Sequence, residues 1–254
     1  MWILRAVLGM LLLAVPLYLL WLFKADLWRK AMVSFLRMTV LSVAAGMLVA
    51  VALWVNNLLF TLFGTLLMAV VAALSVKKRA RLKGLKHLVP IVVGLFLAVV
   101  VLGLYWLLLV SPWLEPLDAT CFLPLMGLML GYMAESDGRA LDAYYSGLHH
   151  HGRLYECLLA NGATRDEALK YFVRRALQQS ALQWMGRTSG HVLCLSPVIL
   201  WVMLLDGASV SDAVTGQLLL MVLLFAASVV SVVATIYAAR RYSFDDYAQI
   251  KTTR

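Results

Sequence analysis

The residues that could do chemistry here are few, and most stand inside apolar surroundings. Glu135, Asp137, Arg139 and Asp142 interrupt one long hydrophobic stretch, and Arg187 and His191 interrupt a later one. Ionisable groups are costly in hydrocarbon unless paired or wetted, so such residues are default candidates for a substrate or proton path. Glu135, Arg139 and Asp142 follow one another at i, i+4 and i+7, which puts them on about one helix face with Asp137 off it. Arg139 can pair with Glu135 in the favourable acid-to-base order. The same set could equally mark the place where a helix leaves the membrane. Arg187 and His191, one turn apart, could face those acids or simply pack. Met126, Met129 and Met133 offer thioethers suited to soft metal ions, although methionine is also a common filler of apolar helices. His149, His150 and His151 form a metal-like cluster by composition but read as a solvated turn. No nucleophile, acid and base combine into a catalytic set.

A second concentration of polar residues lies downstream, from Arg153 to Phe172, within a segment of about 148–172. Glu156 is followed six residues later by Gly162, then Ala163 and Thr164, with Glu167 three residues beyond. Thr-x-x-Glu is the capping-box spacing that starts a helix, and a glycine before it allows a sharp reversal. The segment therefore predicts helix, turn, helix. A solvated connecting loop is the bland alternative.

The elements that must position these groups are set by composition. Of 254 residues, 63% are hydrophobic and 14% charged, whereas soluble domains carry roughly a quarter charged residues. The class expected is an all-α integral membrane protein, a single domain over 1–254, with about seven transmembrane helices. The spans read as Trp2–Phe23, Ala31–Val55, Leu58–Val76, Leu88–Val110, Leu123 to about Tyr145, Leu182–Leu205 and Val214–Ala239. The first lacks a small-x-small cleavage site and should stay attached. Arg37 lies about two turns inside the second span, where it could snorkel. Cys121, Cys157 and Cys194 are too scattered for a disulfide framework or a CxxC site.

Loop charge gives the orientation. Lys24, Arg29 and Lys30 occupy one connection, and Lys77, Lys78, Arg79, Arg81, Lys83 and Lys86 the next but one. The segment after the fifth span adds Arg153, Arg165, Lys170, Arg174 and Arg175. The alternate connections, Asn56-Asn57, Ser111–Thr120 and Asp206–Asp212, hold no Lys or Arg. The positive-inside rule then places the N-terminus outside and the C-terminus in the cytoplasm, with Arg5 the one discordant charge. The net charge of +9 serves anionic headgroups, not nucleic acid. No Walker or Rossmann glycine pattern is present, so ATP chemistry would need another chain.

Several of these residues carry a resemblance. From Leu123 to Gln217 the chain resembles the FetB-type ABC transporter permeases, membrane subunits of iron exporters. Pro124, Gly127 and Gly131, Gly138, the Gly162-Ala163-Thr164 turn, Gly207 and Gln217 follow that family's order and spacing, as do Arg37 and Gly46 earlier. The chain departs from the family at Tyr132, where asparagine is usual, at Leu41, where glutamine is usual, and at Leu195-Ser196-Pro197, where the family has Leu-Pro-Gly. Glu156 and Gly162 also match the spacing of the EAA loop of ABC importers, without its later Leu-Pro.

The resemblance implies a permease subunit, itself no enzyme, in the cell (inner or plasma) membrane, working as a homodimer with a cytoplasmic ABC ATPase. It has no cofactor of its own, since ATP and Mg would be bound by that partner. Arg153, Glu156, Gly162, Ala163 and Thr164 would couple to the ATPase. Arg37, Tyr132, Glu135, Arg139, Asp142, Arg187 and His191 are the candidate translocation pathway, and a metal ion, iron, or another small solute would be exported. A gradient-driven transporter or channel, or a non-transporting scaffold, is the alternative from a different class.

Overall fold

The computed structural model describes residues 18, 28–55, 57–82, 84, 87–110, 119–195 and 198–243. The predicted first span, Trp2–Phe23, falls outside them except for Tyr18, as do Lys83, Lys86, Glu115, Asp118 and the tail after Ser243. All regular structure among the described residues is helical. The chain divides into two compact units, Met1–Val55 and Asn56–Arg254. The first is represented by α1, Trp28–Val55.

The second unit is a helical bundle: α2 (Leu58–Arg79), α3 (Leu88–Tyr105, continued by a π-helical turn at Trp106–Val110), α4 (Ala119–His150), α5 (Gly152–Ala160), α6 (Arg165–Leu195), α7 (Val198–Leu205) and α8 (Val210–Ser243). Local chemistry sets the ends of α2. The Asn57 side chain accepts from the Leu59 N–H at 3.0 Å, while Lys77, Lys78 and Arg79 occupy the last turn, where the helix dipole favours cations.

Among the described residues, four helices are long and apolar enough to cross a membrane: Met32–Val55, Leu58–Arg79, Leu88–Val110 and Val210–Arg240. They coincide with the predicted second, third, fourth and seventh spans. The predicted fifth and sixth are built differently. Residues of the fifth lie in α4, whose 32 residues extend about 48 Å, well beyond a hydrocarbon core of about 30 Å. The sixth is divided between α6 and α7, on either side of residues 196–197. The helix predicted to start at Thr164 and the first part of the apolar stretch, Leu182 to Leu195, belong to one uninterrupted α6.

α4 is the centre of the bundle, packed on α2, α3, α6 and α8, and α3 packs along α8. Lipid tails are as apolar as leucine, so close van der Waals fit, and not escape from water, holds such helices together. The fit is tight where α3 crosses α8: a Cβ on Gly94 would stand 2.7 Å from the Thr235 Cα. Gly138 plays the same part for α4 and α2, where an added Cβ would meet the Arg79 Cβ at 2.9 Å. That contact sets Gly138 level with the basic end of α2.

Candidate coupling and pathway site

The segment from Gly152 to Glu167 is specified almost entirely by local hydrogen bonds. α5 ends in a Schellman motif, with the Gly162 N–H donating to the Leu159 carbonyl at 3.0 Å and the Ala163 N–H to the Leu158 carbonyl at 3.1 Å. Gly162 has φ +84, a left-handed conformation that costs a residue with a Cβ about 1–2 kcal/mol. The capping box follows. The Thr164 N–H and Oγ1 both donate to Glu167 Oε2 at 2.8 Å, and the Glu167 N–H donates back to Thr164 Oγ1 at 3.4 Å. These bonds hold the Glu167 carboxyl below the usual carboxylate range. The helix-turn-helix expected from the spacing is present.

Packing fixes which side of this segment is inside. Tyr155 is buried, as are Ala168, Leu169 and Phe172 on α6, and burial pushes the Tyr155 hydroxyl pKa up. Phe172 lies against Gly147 of α4, where an added Cβ would stand 3.2 Å from its ring. Arg153, Glu156, Gly162 and Thr164 remain exposed, and Ala163 is half-buried. The predicted coupling residues thus form one accessible surface over an apolar floor.

One connection ties this surface to the far end of the chain. Arg240, near the end of α8, donates through Nη1 to Asp166 Oδ1 at 2.6 Å, and Arg165 Nη2 donates to the Arg240 carbonyl at 2.9 Å. The Arg240 guanidinium lies 4.2 Å from the centre of the Tyr237 ring, a cation–π contact that keeps it in place. The first turn of α6 is fastened to the last membrane helix. Spacing in the sequence gives no sign of this contact, because Arg240 stands at the end of an apolar run and its partner is 74 residues away.

The pathway candidates lie on three helices, α4, α1 and α6. Glu135, Arg139 and Asp142 share the less covered face of α4 with Pro124, Gly127, Gly131 and Ser146, while the opposite face is core. Arg139 donates to Glu135 Oε1 at 3.5 Å, and Arg79 Nη1 lies 3.9 Å from the same oxygen. Since Arg79 belongs to the basic end of α2, Glu135 sits at that end of the bundle too. Tyr132 stacks in a tilted arrangement on Trp184 of α6, ring centres 5.4 Å apart. Arg37 is exposed on α1, in the first unit. Arg187 and His191 lie on α6, where their side chains are outside the described set.

Met126, Met129 and Met133 are fully buried in the core. Met126 packs on Gly103 of α3, in the space a Cβ would need. Among the described residues no three His, Cys, Asp or Glu side chains are grouped to hold a metal ion.

A buried polar seam between α4 and α8 was also missed. Asp137 is fully buried and accepts from Ser231 Oγ at 2.7 Å and Thr235 Oγ1 at 2.9 Å. Next to it, the buried hydroxyls of Ser136 and Ser180 join α4 to α6. The available signal was Ser228, Ser231 and Thr235, spaced i, i+3 and i+7 along the apolar middle of α8, which places three hydroxyls on one helix face. That stripe needed a polar partner.

No curated protein and no solved structure matches the chain. The model of the family described as uncharacterised protein family UPF0014 matches residues 3–244, so this multi-pass membrane protein belongs to that family of FetB-type, ABC-transporter-permease-like proteins.

Proposed function

We propose that the protein is the membrane-spanning permease subunit of an ABC transporter, acting as a homodimer in the cell membrane and powered by a separate cytoplasmic ATPase. Its N-terminus is outside and its C-terminus in the cytoplasm, by the loop charges. The reading rests on one observation above all: the exposed α5 and its Gly162 turn continue without interruption into α6 and are bonded through Asp166 to Arg240 of α8. Force applied by a soluble partner at Glu156 or Gly162 would reach two membrane helices through rigid elements. The polar face of α4 is poorly suited to lipid, and in this reading it lines the path between two copies. Export of a metal ion, iron, or another small solute is the reading that the resemblance to FetB-type permeases supports.

Affinity capture of the tagged protein from its own membranes tests this. An ABC ATPase should co-purify and be lost with Glu156→Lys, while Gly162→Val should retain ATP hydrolysis but lose transport. Capture of no ATPase under gentle detergent, or wild-type transport by Gly162→Val, would sink the proposal. A gradient-driven transporter is the second reading, favoured by the fully buried Asp137. It requires substrate flux in proteoliposomes without any ATPase.

A further inference from the structure

The less covered face of α4 ends, toward the helix C-terminus, in a groove of about 580 Å³ between α4 and α6. That is within the ~300–1,000 Å³ typical of small-molecule sites. Arg139, Asp142, Ser146 and His150 line it from α4, and Arg175 and Gln179 face them from α6. The lining carries two cationic side chains and one anionic one. Two guanidiniums, an amide and a hydroxyl stand against Asp142, the single carboxylate among the described lining residues. Arg175 also borders an adjoining depression with Arg174 and Gln178, so positive potential continues along α6.

Guanidinium groups present several N–H donors in a planar fork that matches carboxylate and phosphate oxygens. Arg139 shares one of its five donors with Glu135, which holds its orientation. His150 Nδ1 lies 2.8 Å from the Ser146 carbonyl; a carbonyl only accepts, so Nδ1 carries the proton and the ring is fixed on the groove wall. A bare divalent cation entering here would meet two guanidinium charges against the one carboxylate of Asp142, and among the described residues no group of metal ligands awaits it. A cleft with an excess of one sign of charge favours the opposite sign, and here the excess is positive, extended by Arg174 in the adjoining depression.

Resting on the permease reading above, we infer that this groove is the cytoplasmic entry vestibule for an anionic solute, a polycarboxylate or an anionic complex carrying a metal, bound by Arg139 and Arg175 with Gln179 and Ser146 as hydrogen-bonding partners. The metal, where there is one, enters already masked by its ligand. Anionic lipid headgroups share the chemistry and are the competing source of such a ligand.

The test is calorimetric titration of the purified full-length protein in nanodiscs, with citrate, ferric citrate and pyrophosphate as probes and Mn²⁺ alone as the control cation. At least one anion should bind in neutral-lipid discs, and Arg139→Gln with Arg175→Gln should weaken it about tenfold or more. Arg175→Lys keeps charge but loses the fork and should fall between, which covers the case where the double variant does not fold. Binding of Mn²⁺ alone that the arginine variants leave unchanged, or no binding of any anionic probe, overturns the inference. Complete loss of probe binding in discs of anionic lipid assigns the groove to headgroups and overturns it as well. No ATPase is needed in this assay, so failure of the transporter reading and failure of the vestibule are separate results.

Discussion

The turn after α5 and the seam between α4 and α8 use the same chemistry, a carboxylate held by hydroxyl groups, under opposite conditions. Glu167 meets Thr164 three residues away on an exposed surface. Asp137 meets Ser231 and Thr235 at separations of 94 and 98 residues, with no water access. In the first, water can replace any lost bond, so the bonds decide where a helix starts more than whether the protein holds together. In the second nothing replaces them. The exposed pair shapes a docking surface, and the buried pair fixes which faces of two long helices meet.

The largest effect is therefore expected in the seam. Asp137→Ala removes the acceptor for two buried hydroxyls, and each buried group left unsatisfied costs about 1–3 kcal/mol. Thermal melting in detergent should show a clear loss, with Asp137→Asn less affected because its amide oxygen can still accept. Ser231 keeps part of its bonding, since its Oγ also lies 3.1 Å from the Ser228 carbonyl. A melting temperature unchanged in Asp137→Ala would mean that α4 and α8 do not depend on this seam, and the contrast drawn above would fail.

Arg240 sharpens the comparison because it is long-range like the seam but open like the turn. Arg240 keeps 13% of its side-chain exposure but Asp166 keeps 79%, so the carboxylate stays solvated whether or not the pair forms, and ion pairs open to water contribute only about 0–1 kcal/mol. Arg240→Gln should leave the melting temperature nearly unchanged while lowering transport per ATP hydrolysed. Combining it with Asp166→Asn should add little to either variant alone, since both remove one contact. Additive losses of coupling would show that Arg240 works through something other than Asp166.

What could be read from the sequence follows the same division. Thr164 with Glu167, Gly162 in its turn, Asn57 capping α2 and Glu135 with Arg139 all depend on partners within a few residues, so spacing alone exposes them. Four of the expected spans were legible as apolar runs, because length and composition suffice for a membrane crossing. Asp137 was seen only as lying off the charged face, since its partners are a whole subdomain away in the chain. Tyr132 on Trp184 and Arg240 on Asp166 were hidden for the same reason. The continuity of α6 was obscured by composition: its first half is polar, yet Ala168, Leu169, Phe172 and Ala176 form a buried stripe against the bundle.

The smallest effect belongs to the turn, and its signature is pH dependence. The Glu167 carboxyl is held below its ordinary range by the Thr164 bonds, so the unfolded chain binds a proton more readily than the folded one. Its contribution is fully present above the unfolded-chain value of about 4.3, and is lost as pH falls from there through the lower folded value. Gln at this position still satisfies the capping box, so Glu167→Gln should melt close to wild type at neutral pH. Below pH about 4 the wild type should lose slightly more of its melting temperature than the variant does. Because the group is exposed, the gap should also shrink in high salt. A gap as large as that produced at Asp137 would mean that the turn is structural in the way the seam is, and that docking and packing are not separated in this protein.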